Sequence, residues 1–519
     1  MGSRRLIVSL CTAALVSVGP AAEAGAEERA RSAAPAWRDC ADGFQCATVR
    51  VPRDYRRPGG ASVPLRLVRL PATDPTRRIG SLFLNPGGPG GSGVEFVRSN
   101  ARGVFAPLTT RFDLVGWDPR GVGTVDCKVD QEKLGISAQP FGRPTRASER
   151  LLVRRARSYV RRCVRRAPRA LLPHLHSANA ARDLNRLRAA VGDESLSFLG
   201  YSYGTQLGAT YATLFPRRIR ALVLDGAVDV EGYVRRPIQD VRRQTAGYED
   251  AFDRFVAACR LRPDRCGLGT NPRAGWQTLA KRLDRTSIPA PGSSTRLPVD
   301  GDDLRAATLA GLNQKGLWPV LSSALVQAQS GDGTLLRTIA DVYYEHGTPT
   351  ILDPFVAITA VDLSWPSRIA PYLRDGRSAH RRYPHFWWNA GYSEIAMALW
   401  PAEPRNGYSG PVSNARRATT TLVVGTTHDP ATPYVWAKRL TGDLGNARLL
   451  TMRGDGHTAS FNAASACIDT AVQAYLESLT LPRKGTVCDQ EVPFTLRRAA
   501  PRRTLRELLL DARLRAFAR

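Results

Sequence analysis

The chain has 519 residues, more than three times the roughly 150 of a typical domain, so one or two bodies with a substantial core are within reach. Hydrophobic residues at 43% against 23% charged exclude disorder as the main state, and no apolar run reaches the roughly 20 residues a membrane-spanning helix needs. The net charge of +28 suggests a nucleic-acid partner at first sight, but only six of the 74 basic residues are Lys, so the skew reads as compositional and no nucleic acid is expected.

Arg4 and Arg5 precede an apolar stretch from Leu6 to Val18, and small residues follow at Ala22, Ala24 and Ala26. This is the layout of a secretory signal, read here as residues 1–26, so the mature protein is expected outside the cell or at the cell wall. Cys11 lies inside the signal and follows Leu10, against a lipoprotein anchor. The eight remaining cysteines suggest disulfides in an exported chain, and although eight allow 105 pairings, sequential pairing is preferred: Cys40 with Cys46, Cys127 with Cys163, Cys259 with Cys266 and Cys467 with Cys488. Buried free thiols are the alternative; a metal is not expected, since no CxxC pair exists.

Strand-like stretches at 47–51, 63–68 and 80–84 are separated by Pro/Gly-rich turns, and the third runs into a glycine-rich loop, Asn85 to Gly93. A fourth strand is expected at 112–117, a helix at 178–191, a strand at 196–199, a helix at 205–214 and a strand at 219–224. This alternation is that of a mostly parallel sheet covered by helices on both faces, an α/β fold. From about 231 to 405 the pattern turns helical, with segments at 248–259, 304–312 and 317–329, before strands return at 419–424 and 447–452. The expected organisation is a signal at 1–26, a core at 27–230, a helical cap inserted at 231–405, the rest of the core at 406–490 and a basic tail at 491–519. In that tail Leu505, Leu508, Leu509, Ala512 and Ala516 share a helical face, suited to docking on the body or, alternatively, to adhesion on an anionic cell envelope.

Gly200-Tyr201-Ser202-Tyr203-Gly204 matches G-x-S-x-G between a strand and a helix, the context in which the turn lifts a serine hydroxyl above the sheet. A neutral serine needs a histidine to take its proton and an acid to orient that histidine, in the chain order Ser, acid, His for this layout. Of the seven histidines, His457 follows the returning strands and lies beyond Asp429, and both sit after strand ends. Asp455 and Asp443 compete as acids, but a residue two before the base reaches the far side of its ring with difficulty. Oxyanion donors are expected from the backbone of Tyr203 and from the glycine-rich loop, most plausibly Gly88. That loop carries neither GxGxxG nor GxxxxGK[ST], so phosphate binding is not favoured.

The loop Asn85 to Gly93, Trp117-Asp118-Pro119-Arg120-Gly121, the Gly200 to Gly204 turn, Leu224 to Asp229 and Asp429-Pro430-Ala431-Thr432-Pro433 together resemble the secreted tripeptidyl aminopeptidases. These are α/β-hydrolases related to proline iminopeptidases, with a helical cap and a characteristic C-terminal segment. The resemblance spans about 37–488 and implies a serine exopeptidase, free of cofactors, that cuts short peptides near a free amino terminus through an acyl-enzyme. It also matches Thr432 to a family threonine near the catalytic histidine, while Ala360 departs from it where relatives often carry cysteine. A carboxylesterase with the same triad is the alternative, and a non-catalytic cell-envelope binding protein a further one. An aminopeptidase must pair the substrate ammonium with a carboxylate, for which Glu249 and Asp250 are put forward among Asp253, Asp302, Asp303, Asp341, Glu345, Asp362, Asp225 and Asp229.

Overall fold

The computed structural model describes residues 34–129, 143–344, 351–404, 407–408, 410–415 and 418–491; the expected signal, the basic tail beyond 491 and Glu345 lie outside them. Ten strands form one sheet: β1 (Arg38–Asp39), β2 (Gln45–Pro52), β3 (Ser62–Leu70), β4 (Gly80–Asn85), β5 (Phe112–Trp117), β6 (Leu196–Tyr201), β7 (Ile219–Asp225), β8 (Thr421–His428), β9 (Ala447–Asp455) and β10 (Val487–Asp489). Their spatial order is β1-β2-β3-β5-β4-β6-β7-β8-β9-β10. The first three strands and the β3–β5 contact are antiparallel, and every pairing from β5 through β4 to β10 is parallel.

β4, β5 and β6 are buried at every position, which is why they read as near-continuous apolar runs rather than alternating ones. The two faces still sort by parity. Phe83, Val115, Phe198, Leu222 and Val423 face the side covered by the helices Ser177–Ala190 and Tyr203–Leu214. Leu82, Leu84, Leu114, Leu199, Val223, Leu422 and Val424 face the side covered by Gly93–Asn100 and Ala466–Ser478.

The long helical insertion falls between β7 and β8, and its own apolar cluster gathers Phe252, Phe255, Trp276, Leu304, Trp318, Leu336, Phe386 and Trp388. Packing does not follow the expected boundaries helix by helix. Leu352, Val356, Ala357 and Val361, from the helix Leu352–Asp362, pack with the sheet, whereas Leu152 and Ala156, from the earlier helix Arg146–Arg166, pack with the insertion. All four sequential disulfides form: Cys40–Cys46, Cys127–Cys163, Cys259–Cys266 and Cys467–Cys488. No described helix is long and apolar enough to cross a membrane.

Candidate active site

The loops that leave the carboxyl ends of β4, β6, β7, β8 and β9 converge at one sheet edge, where an open parallel sheet places its ligand site. Ser202 follows β6 and heads the helix Tyr203–Leu214 with φ 58° and ψ −119°, a conformation that costs a non-glycine residue about 1–3 kcal/mol. Its surroundings hold it there. Its N–H donates to the Asp225 carbonyl at 2.8 Å, and a Cβ on Gly200 would come within 2.6 Å of the Gly204 carbonyl oxygen, so only a bare backbone lets strand and helix meet at this angle.

Across from Ser202 runs the loop after β4. A Cβ on Gly87 would lie 3.2 Å from the Ser202 Cβ and 3.3 Å from the Tyr203 nitrogen, so Gly87, not singled out from the sequence, is in close contact with the serine turn. Its neighbour Gly88 also has positive φ, 113°. The Gly87 N–H donates to Asn85 Oδ1 at 3.0 Å, so the loop backbone is held against the start of the Tyr203–Leu214 helix.

Asp429 and His457 meet as the sequence suggests. The His457 Nδ1 lies 2.9 and 3.0 Å from the two Asp429 oxygens, and both side chains are fully buried. Burying a carboxylate is costly without donors, and Asp429 has several: the N–H groups of Ala431 (2.9 Å) and Thr432 (2.7 Å), the Thr432 hydroxyl (2.9 Å) and the Thr458 N–H (3.3 Å). Thr432 Oγ1 also lies 3.2 Å from His457 Nδ1, so this threonine touches both members of the pair. The competing Asp455 is turned away, toward Arg254 and toward Lys315 at 3.0 Å. Ser202 Oγ and His457 Nε2 are both buried and neither has a hydrogen-bond partner among the described residues; such contacts are often long in an unliganded site and tighten when substrate arrives.

Asp225 lies beneath this pair. Burial pushes its carboxyl up to about 6, against the pull of hydrogen bonds from Ser460 and the Ala459 N–H. It fixes the turn after His457, a role the sequence did not indicate.

The insertion leans on the same loops through its longest helix, Pro237–Leu261. Gly247 abuts Pro430, where a Cβ would lie 2.5 Å from the carbonyl oxygen; the Tyr248 hydroxyl donates to Asn313 Oδ1 at 2.8 Å; Asp250 lies 3.0 Å from His428 Nδ1. Between them Glu249 turns toward His385, accepting from its N–H at 2.8 Å, from the Phe386 N–H at 2.9 Å and lying 2.6 Å from Nδ1. The other described carboxylates named from the sequence are also engaged: Asp253 with Arg273, Asp302 with Arg305, Asp303 and Asp341 with Arg337, Asp229 with Arg439, and Asp362 with Ser177 and Gln206. Among the described residues, the one His/Cys/Asp/Glu cluster with ligand-like spacing is Cys127, Cys163 and Asp353, whose sulfurs are joined in a disulfide and have no thiolate to offer.

Residues 385–488 match the family model described as TAP-like protein. Over nearly its whole length the chain is similar to serine protease Hip1 of Mycobacterium tuberculosis, 35% identical with 94% of this chain and 98% of that protein covered. Carboxylesterase B of the same species is 34% identical, covering 86% of each chain. The tripeptidyl aminopeptidase of Streptomyces lividans is 32% identical, covering 89% of this chain and 88% of that one. Identity at this level across the sheet, the insertion and the converging loops means that the chain belongs to the tripeptidyl aminopeptidase-like family of α/β-hydrolases and is a serine hydrolase.

Proposed function

We propose that the protein is an exported serine exopeptidase that releases short peptides from free amino termini, with Ser202 as nucleophile, His457 as base and Asp429 as the acid that orients it. The observation that carries this reading is the buried Asp429–His457 pair at the sheet edge where the Ser202 turn also lies. His457 takes the Ser202 proton as the oxygen attacks the carbonyl, and the oxyanion is held by the N–H groups of Tyr203 and Gly88, the Gly87 N–H being donated to Asn85 Oδ1 at 3.0 Å. Proton return from His457 to the leaving amine gives the acyl-enzyme, which water then cleaves by the same steps. Nothing in this sequence calls for a metal or organic cofactor.

Residues 231–405 act as a cap that restricts the site to small substrates. Glu249 and Asp250, on the helix stretch that rests against the loops of Asp429 and His457, are the proposed partners for the substrate ammonium; Asp250 lies beside His428, whereas Glu249 already accepts from the His385 and Phe386 N–H groups and would have to share those bonds. Thr432, expected from the sequence among the substrate-binding residues, is proposed to act on the acid and base, since its hydroxyl donates to Asp429 and lies beside His457 Nδ1. Export and removal of residues 1–26 are supported by the four disulfides. Association with an anionic envelope is supported by Arg146, Arg150, Arg154, Arg157, Arg161 and Arg165, exposed along one side of a helix, in addition to the basic tail.

One experiment tests both chemistry and substrate class. Ser202→Ala should abolish turnover and fluorophosphonate labelling while the protein stays folded, since single triad removals cost up to about a millionfold. Neutralising the true partner, by Glu249→Gln or Asp250→Asn, should penalise free-amine peptides by roughly 2–5 kcal/mol in kcat/KM while small acyl esters lose much less. Activity of Ser202→Ala within tenfold of wild type rules out this nucleophile. Equal cleavage of acetylated and free peptides would instead favour the esterase reading, which the likeness to carboxylesterase B keeps in view.

A further inference from the structure

β9 ends at Asp455, so the loop that carries His457 has left the sheet ladder, and its backbone groups need partners from elsewhere. They find them in the helical insertion. The His457 N–H donates to the Asn313 carbonyl at 2.7 Å, and the His457 carbonyl accepts from the Gln314 side-chain amide. Gln314 also forms an antiparallel bridge with Gly456. Both points of this grip come from consecutive residues just after the helix Gly301–Leu312, and Asn313 is itself held through its side chain by Tyr248. Asp429 restrains the imidazole only at Nδ1, while Nε2, the atom that must meet Ser202, has no partner among the described residues. Where Nε2 lies is therefore set by where the main chain of His457 is clipped.

We infer that Gln314 is a positioning residue for the base: with Asn313 it forms a two-point clip that seats His457, so the segment covering the site also sets the reactivity of the nucleophile. The inference rests on the triad reading above and adds to it. A displacement of the insertion wide enough to break the clip unseats the base, which ties reactivity to the closed arrangement and keeps an open site from reacting.

Gln314→Met keeps the length of the side chain and removes the donor. The test compares it with wild type on a small acyl ester that reaches little of the insertion, with active sites titrated by a fluorophosphonate and melting followed separately. A misplacement of the base on the ångström scale costs on the order of 10- to 100-fold. The expected result is a fall of that size in kcat per titrated site and in the labelling rate, with KM within about twofold and Tm within a few degrees. A merely structural role would instead lower Tm and the number of titratable sites at unchanged kcat per site, and that result overturns the inference. If Gln314→Met does not fold, Tyr248→Phe, which frees the Asn313 side chain alone, should give the same split in milder form; unchanged kcat per site there overturns it too. Ser202→Ala separates the two ideas. If it retains turnover, the triad reading fails, whereas if it is inert while Gln314→Met keeps wild-type kcat, only the clip fails.

Discussion

At the scale of single residues, Thr432 joins Asp429 to His457, the proposed acid and base. Its hydroxyl donates to Asp429 Oδ2 and lies beside His457 Nδ1, so it helps hold the carboxylate in the plane that receives the imidazole N–H. A hydrogen bond to a charged group is worth about 1.5–3 kcal/mol. Thr432→Val, which keeps the shape and removes the hydroxyl, is therefore expected to lower kcat about tenfold or more, whereas Thr432→Ser should stay near wild type. Steady-state kinetics on one ester, with Tm as control, checks this; equal kcat for the Val and Ser variants contradicts it. The residues around Thr432 differ in how readable they were. The order Ser, Asp, His and the strand-loop context pointed to Ser202, Asp429 and His457, and the turn of Asp455 toward Arg254 and Lys315 agrees with choosing Asp429. Asn313 left no trace because it contributes a main-chain carbonyl to His457, and any residue type carries one. Gly87 is one of five glycines in its loop, and only the fold separates it from the other four.

At the scale of elements, the contact of the helix Pro237–Leu261 with the acid loop depends on Gly247. Glycine inside a helix costs about 1 kcal/mol relative to alanine, so its presence needs a reason, and Pro430 supplies one. Gly247→Ala would drive a methyl into a backbone carbonyl, and the expected outcome is a loss of about 1–3 kcal/mol despite the better helix former. Gly442, in the helix Tyr434–Leu444, has nothing within 4 Å of a new Cβ, so Gly442→Ala should instead gain about 0.5–1 kcal/mol. Urea melts of the pair check the opposite signs. The central strands were legible because burial on both faces demands unbroken apolar runs. β10 was not: its three residues alternate exposed, buried, exposed and offer no pattern longer than chance. The helix Leu352–Asp362 was assigned to the insertion by position, and being buried on nearly all sides it has no polar face to reveal which body it packs on.

For the whole molecule, buried carboxyls make stability depend on pH, Asp362 and Asp225 among them. Burial pushes Asp362 up to about 6 from 3.8, with hydrogen bonds from Ser177 offsetting only part of it, and Asp225 is raised to the same extent for the same reason. The folded state thus holds these protons more tightly than the unfolded chain. Their stabilising contribution is complete below pH 3.8 and is lost as pH rises through about 6. Asp362→Asn cannot titrate, so its Tm should vary less with pH across this window than wild type, by the equivalent of about 3 kcal/mol, with Asp225 and Asp240 leaving a residual slope. Scanning calorimetry in buffers across the window checks it; parallel curves for the two proteins would contradict the assignment.

The four disulfides share a property of order. Among the described residues the eight cysteines pair consecutively along the chain, so no pair is nested within or crosses another. A chain threading out of a membrane in single file presents its thiols in that sequence, and an oxidant that joins each new thiol to the one still waiting produces the native set without correction. For a chain exported in this way, the order of emergence alone would select the native pairs without an isomerase. The same polypeptide diluted from a reduced, denatured state has lost that order of emergence and must find its partners by exchange.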